Sequence, residues 1–368
     1  MPVILNSKMF DSSRGPRGNE RSDTPDANHD EPARKELSIG LINNVPDSAL
    51  LATERQFISL LNSASNGMSV RLSLYSLRGV PRSDASARRI SRFYSSAECL
   101  RGVELDGLIV TGRESVTPDL ADEPYWESFT GIVEWARSHT YSTIWSCLAA
   151  HAAVQYMEGI RRVRNGRKHC GLFECRRISD HPITEGTPSH FRVPHSRWNS
   201  VREEDLAQRG YHVLTQTETA SVDIFLKQEQ SLFVFFQGHP EYERTTLLLE
   251  YRRDVGRYLR AESNTYPAIP QGYLDRDTTL ALTALEERAR AHRSEALIAQ
   301  VNAILEKASI EQSWRLAAVQ IYRNWLKYIC AEKERSERYD HLAVDKIDSL
   351  IPNTAGSELP GRPNLLTR

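Results

Sequence analysis

Short apolar runs, each stopped by a small or reactive residue, set the rhythm of this sequence. Leu37–Asn43 and Asp106–Gly112 are two such runs. Tyr141–Ser146, rich in β-branched and aromatic residues, stops at Cys147, and small helix-forming residues come next through Ala153. Ser231–Phe236 stops at Gln237-Gly238-His239-Pro240-Glu241. Near-continuous apolar runs of this length predict buried strands. Between them, Ala49–Ser65 and Pro124–His139 carry apolar residues at helical spacing, and Ser69–Leu77 alternates as a half-buried strand does. Strands alternating with helices predict an α/β fold: a mostly parallel sheet flanked by helices, with right-handed crossovers. In such sheets reactive groups gather at the carboxyl ends of the strands, where Gly112, Cys147 and His239 all fall.

The pattern weakens elsewhere. Arg78–Ser95 is polar and reads as a loop. Gly171–Ile178, His190–Val193, Tyr211–Leu214 and Val222–Leu226 read as short strands, and a helix begins near Glu243. Thr278–Lys307 and Ile310–Glu332 read as two long helices, a helical carboxyl-terminal region. Asp11–Lys35 has no aliphatic residue larger than alanine or proline, so residues 1–36 are expected to be disordered. Periodicity fades near Arg335. The expected organisation is therefore a disordered segment 1–36, one domain over 37–333 and a flexible tail over 334–368.

The strand ends carry the chemistry. A cysteine at a strand-to-helix turn sits against unpartnered backbone N–H groups, which favour a thiolate. Alone, Cys147 would be read as a buried structural thiol. A second strand ending in His239-Pro240-Glu241 changes that reading, because a thiol, an imidazole and a carboxylate are the parts of a nucleophilic site. His151, one turn after Cys147, is expected to pack beneath the turn; His195, in Pro194-His195-Ser196-Arg197, fits substrate contact or backbone bonding equally well. The cluster Arg161, Arg162, Arg164, Arg167 and Lys168 reads mostly as a solvated loop. No phosphate-cradling glycine loop is present, and no metal site is expected: Cys170 and Cys175 form a close pair with no second pair to complete it.

Composition narrows the class. A net charge of −1 over 368 residues argues neither for nucleic acid nor for an anionic membrane, and no run is long and apolar enough to span a bilayer. Five scattered cysteines and no amino-terminal signal pattern suit a reduced, cytoplasmic protein with free thiols.

Taken together, Leu41-Ile42-Asn43-Asn44-Val45-Pro46, Thr53-Glu54-Arg55-Gln56-Phe57, Asp106–Gly112, Trp145–Ala152, Val193–Arg197, Gln237–Tyr242, Ser313-Trp314-Arg315 and Tyr322-Arg323-Asn324-Trp325 resemble the homoserine O-succinyltransferase / homoserine O-acetyltransferase family of methionine biosynthesis. The resemblance spans about Leu37 to Lys333 and implies a class I glutamine amidotransferase-like fold with a nucleophile elbow. It implies that Cys147 accepts the acyl group, His239 is the general base and Glu241 orients it. Lys168, Ser196 and Arg253 match positions that hold the amino-acid substrate or the acyl donor, and the Leu148 N–H is expected in the oxyanion site. It also implies acyl-CoA and L-homoserine as small-molecule substrates, no bound cofactor and a homodimer.

Two departures leave the substrates open. The family loop commonly reads Thr-Gly-Ala-Pro, and its sixth position separates succinyl users (Gly) from acetyl users (Glu). Here the loop is Thr111-Gly112-Arg113-Glu114-Ser115-Val116, so Val116 fits neither rule. Glu114 could exclude a succinyl carboxylate and Arg113 could equally bind one. The second departure is Asp47-Ser48 after Pro46, where the family often has lysines. Serine or a related hydroxy-amino acid stays open as acceptor, and so does a glutamine amidase, although amidotransferases usually flank the cysteine with glycines.

Overall fold

The computed structural model describes residues 3–6, 36–219 and 221–350. In chain order the elements are β1 (Val3–Asn6), β2 (Glu36–Ile42), α1 (Leu50–Ala64), β3 (Ser69–Ser76), α2 (Asp84–Phe93), β4 (Ser95–Ser96), β5 (Gly107–Thr111), α3 (Trp126–His139), β6 (Ser142–Ser146) and α4 (Leu148–Glu158). Next come β7 (Val163–Arg177), β8 (His190–Ser200), α5 (Glu203–Ala207), β9 (His212–Val213), β10 (Thr215–Thr217), β11 (Ile224–Gln228), β12 (Leu232–Phe236), α6 (Thr246–Leu259), α7 (Arg276–Ala291), α8 (Leu297–Glu306) and α9 (Arg315–Leu350). By contacts the chain divides into two units, Met1–Cys330 and Ala331–Arg368; the sheets and the candidate site belong to the first.

The main sheet runs β1-β3-β2-β5-β6-β12-β11-β9, with β4 beside β3. It is parallel from β1 to β12 and antiparallel from β12 to β9. This is the mostly parallel, helix-flanked sheet that the apolar runs predict. Strands β5, β6 and β12 are buried along their whole length, because crossover helices cover both faces. Side chains alternate between those faces. Ile144, Val234 and Phe236 pack with α1 and the start of α9, whereas Trp145, Phe233 and Phe235 pack with α3 and α4. A second sheet, β10-β7-β8, is antiparallel and rises from the main body as a long hairpin.

Several expectations are corrected. Val3–Asn6, placed in a disordered segment, is a strand parallel to β3, with Val3 paired to Val70 and its N–H donating to Asn62 Oδ1 at 3.1 Å. The run Val3-Ile4-Leu5 is apolar enough to extend a sheet edge. Residues 7–35 lie outside the described residues. Asp84–Phe93 is a helix rather than loop, capped by Ser83; none of its residues is fully buried, and only Ile90 and Phe93 pack partly against the core, a stripe too short to stand out among its charges. The basic stretch after Arg162 is strand β7 rather than loop. The expected flexible tail from residue 334 is helical as far as Leu350, and 351–368 lie outside the described residues. Glu, Lys, Arg and Ala form helix without an apolar stripe, and Glu332 and Arg335 pair at i,i+3.

The start of α9 locks onto the sheet through Trp325, buried to 1 % exposure, whose Nε1–H donates to Ser142 Oγ at 2.9 Å. Trp325→Ala should therefore destabilise the protein by about 3–5 kcal/mol through cavity formation. The check is a denaturation comparison with the parent; a loss below about 1 kcal/mol would show that this helix is not part of the core.

Candidate active site

The fully buried strands β6 and β12 are neighbours, with Ser146 opposite Phe236. The segments that leave their carboxyl ends therefore emerge side by side. After β6 the chain turns at Cys147, with φ 54° and ψ −115°, one of three non-glycine residues with positive φ among the described residues. Such a conformation costs on the order of 1–3 kcal/mol and persists only when its flanks impose it. Here a buried strand precedes it, α4 succeeds it, and the Cys147 N–H donates to the Phe236 carbonyl at 2.7 Å. The elbow leaves the thiol partly exposed.

Two residues past β12, Gly238 passes close beneath the site. A Cβ there would lie 2.5 Å from Val193 and 2.8 Å from Asp223 Oδ1, so only glycine fits. Its N–H donates to Asp223 Oδ1 at 3.1 Å, and the His239 N–H donates to the Pro194 carbonyl at 2.8 Å. His239 then turns Nδ1–H onto Glu241 Oε1 at 2.8 Å, and its ring lies near enough to the Cys147 sulfur to interact with its charge. Tyr242 stacks on its ring, 4.2 Å between centroids. Burial works against a charge on His239, but the Cys147 sulfur and the Glu241 carboxylate outweigh it and hold the imidazolium well above the ordinary histidine range. Sulfur, imidazole and carboxylate, contributed by two separate stretches of the chain, are in contact.

The floor beneath them is hydrogen-bonded. Arg197 Nε–H donates to His195 Nδ1 at 3.1 Å, which puts the remaining ring proton on Nε2, 3.4 Å from Asp223 Oδ1. Burial drives His195 well below its usual range and pushes Asp223 up to about 6. The His195–Asp223 approach is thus a contact of a neutral ring with the carboxylate, and Nε2 makes no hydrogen bond there. Cys175, His195 and Asp223 have the spacing of a metal cluster, but the nitrogen facing Asp223 carries a proton and Asp223 already accepts from Gly238 and Thr215. The expected backbone bond is not formed: the His195 ring, buried within β8, is held instead by the Arg197 side chain. His151 is buried, hydrogen-bonded to Gln237 Oε1 at 2.9 Å and lowered to about 3 by burial, beneath the elbow as expected.

Two carboxylates that the sequence pattern does not single out tie the remaining residues together. Ser196 on β8 donates to Glu250 Oε2 at 2.5 Å, and the Tyr242 hydroxyl donates to Glu250 Oε1 at 2.6 Å. Lys168 on β7 reaches Asp254 Oδ2 at 3.3 Å, and Arg253 Nε–H donates to Asp254 Oδ1 at 2.8 Å. Burial pushes Asp254 upward, yet Arg253 and Lys168 hold it below the usual carboxylate range. Glu250, Arg253 and Asp254 stand at i, i+3 and i+4 on α6, a spacing that could have flagged them as one polar face.

The loop after β5 closes the other side. Gly112 lies against the start of α4: a Cβ there would sit 2.6 Å from Leu148 N and 2.7 Å from Ala149 N. As the first residues of a helix, Leu148 and Ala149 have no intrahelical acceptor for these N–H groups, so they can bind a developing oxyanion. Val116 is 69 % exposed, so its side chain largely meets solvent. Glu114 is also exposed, and its charge acts on Arg253. Arg113 is half-buried.

The raised folded-state value of His239 has a definite sign. The stability it contributes is complete below the unfolded value near 6.5 and fades as pH climbs through the folded value. An NMR titration should place the apparent midpoint of the Cys147–His239 pair's imidazole above 6.5, and Glu241→Gln should lower it. A midpoint at or below 6.5 in the parent protein would contradict this electrostatic reading.

The homoserine O-succinyltransferase family profile matches residues 23–336. Homoserine O-succinyltransferase of Rhodopseudomonas palustris is 44 % identical over 300 residues, covering 82 % of this chain and 90 % of that protein. That of Methylorubrum extorquens is 43 % identical over 299 residues, covering 81 % and 89 %. A glutamine amido transferase from Methylobacillus flagellatus superposes with TM-score 0.43 at 13 % identity, over 80 % of this chain and 96 % of that one, and adds nothing to the topology above. No helix among the described residues is long and apolar enough to cross a membrane. The chain belongs to the homoserine O-succinyltransferase family.

Proposed function

We propose that this chain transfers the succinyl group of succinyl-CoA to the hydroxyl of L-homoserine, carrying it between the two as a thioester on Cys147. The observation that carries the reading is the convergence of Cys147, His239 and Glu241 at the ends of two adjacent parallel strands, with His239 hydrogen-bonded to Glu241. The names of the relatives, homoserine O-succinyltransferases, support the choice of donor and acceptor.

In the first half-reaction the Cys147 thiolate attacks the thioester carbon. The tetrahedral oxyanion is held by the Leu148 and Ala149 N–H groups and collapses with loss of the CoA sulfur, which takes a proton from the His239 imidazolium. In the second, the homoserine hydroxyl gives its proton to neutral His239 Nε2 as its oxygen attacks the acyl-cysteine, and Cys147 leaves as thiolate. One thioester bond is exchanged for another and then for an ester, with the proton returned to the imidazole. Glu241 keeps Nδ1 protonated, so that Nε2 is the nitrogen that trades protons. Asp254 occupies Nε of Arg253, leaving both terminal nitrogens to grip an α-carboxylate as a fork, with Lys168 beside it. Glu250 offers its remaining lone pairs to an α-ammonium.

Incubation with succinyl-CoA or acetyl-CoA and with homoserine or serine, products read by mass, should give O-succinylhomoserine as the main product. His239→Gln should lower kcat by about 10²–10⁴-fold. Arg253→Met should act chiefly on the KM of the amino acid, by about ten-fold or more. Near-normal turnover by Cys147→Ala, or ammonia release from glutamine as the main activity, would sink the reading.

A further inference from the structure

The loop after β5 holds a cation that nothing around it matches. Arg113 is the residue after Gly112, whose backbone abuts the Leu148 and Ala149 amides, so it enters at the edge of the oxyanion pocket. Its one hydrogen bond runs from Nη1 to the Pro81 carbonyl at a long 3.5 Å, and its Nε is buried without a partner. The neighbouring charge is positive: Arg82 lies near enough for Arg113 to repel it.

Three acids of the surrounding segments are each committed elsewhere. Asp47 pairs with Arg82 at 3.2 Å and accepts from the Ser83 N–H. Glu114 directs its charge to Arg253. Glu123, nearly fully buried, spends Oε1 on the loop itself, accepting from the Ser115 hydroxyl at 2.7 Å, the Val116 N–H at 2.7 Å, the Thr117 N–H at 2.9 Å and the Thr117 hydroxyl at 2.8 Å. Arg162 Nη2 adds bonds to Ser115 Oγ and the Pro118 carbonyl, both at 3.2 Å. The loop is thus clamped while Arg113 has no ion pair among the described residues, the arrangement of a preorganised anion receptor.

We propose that Arg113 receives the distal carboxylate of the donor's acyl group, and so makes a succinyl rather than an acetyl donor the preferred one. This rests on the acyl-transfer reading of the Cys147 site. A succinyl thioester carries its carboxylate two methylene groups beyond the reacting carbonyl. Arg113 stands one residue beyond the glycine that faces the oxyanion amides, so a single extended acyl chain can join the two. Val116 itself is largely in solvent. Glu123 acts as a positioning residue, through the loop.

The other anion a CoA thioester could offer Arg113 is a CoA phosphate, and free CoA separates the two. Arg113→Gln should raise the KM for succinyl-CoA by about 10- to 100-fold. It should leave the inhibition constant of free CoA within about two-fold, since a contact that CoA does not make cannot weaken it. Arg113→Lys, which keeps the charge but loses the fork, should fall between parent and Arg113→Gln; if the glutamine variant does not fold, the lysine variant alone should still raise the succinyl-CoA KM several-fold. The KM for homoserine and the thermal midpoint monitor general damage. Parallel loss of succinyl-CoA and free CoA affinity would assign Arg113 to a phosphate and overturn the proposal. So would an unchanged KM in both variants, or a parent kcat/KM for acetyl-CoA equal to or above that for succinyl-CoA. Failure of the parent protein to acylate homoserine from either donor would instead defeat the acyl-transfer reading itself.

Discussion

One parallel strand pairing sets the site. Strand β6 lies beside β12 in a register that places Ser146 opposite Phe236, and the Cys147 amide extends that ladder by one bond to the Phe236 carbonyl. Because both strands are buried on both faces, a slip of one residue would turn Trp145 or Phe235 toward the wrong layer of the core. The register is therefore fixed by the core, and with it the place where thiol and imidazole emerge. The same core sustains the unfavourable backbone of Cys147, which a looser strand end would relax.

Around that pairing the site is organised by carboxylates, each with a separate task. Glu241 fixes the ring of His239. Asp223 holds the backbone just before it. Glu250 gathers Ser196 and Tyr242, and Asp254 gathers Lys168 and Arg253. Lys168 and Ser196 come from the antiparallel hairpin, and Glu250, Arg253 and Asp254 from α6, elements outside the parallel sheet. The ends of the parallel strands thus supply the thiol and the imidazole, and the surrounding elements supply charged and polar groups beside them.

Much of this is legible in the sequence. The apolar runs predict the central strands because parallel strands covered on both faces need apolar residues throughout, and the elbow and the His-Pro-Glu turn announce themselves by what stops those runs. Glu250 and Asp254 escape such a reading because a carboxylate on a helix looks like any solvated charge until the hairpin opposite brings Ser196 and Lys168 to it. Helix α2 escapes for a related reason: only Ile90 and Phe93 pack partly against the core, and its other residues are small or charged. The short strand Val3–Asn6 gains its pairing only when β3 is present as a template, and the helical stretch beyond residue 334 is rich in charged helix formers, which a search for apolar runs passes over. Val116 stands at a position read as discriminating, yet its exposure leaves Arg113, a departure from the family loop, as the residue with unmet charge.

The central claim, that sulfur carries the acyl group, is tested most directly by trapping it. Protein mixed with succinyl-CoA in the absence of an amino acid, quenched in acid and digested, should yield one peptide bearing a succinyl group on Cys147, discharged when homoserine is added before the quench. A protein that turns over homoserine while leaving Cys147 unmodified under these conditions would contradict the account.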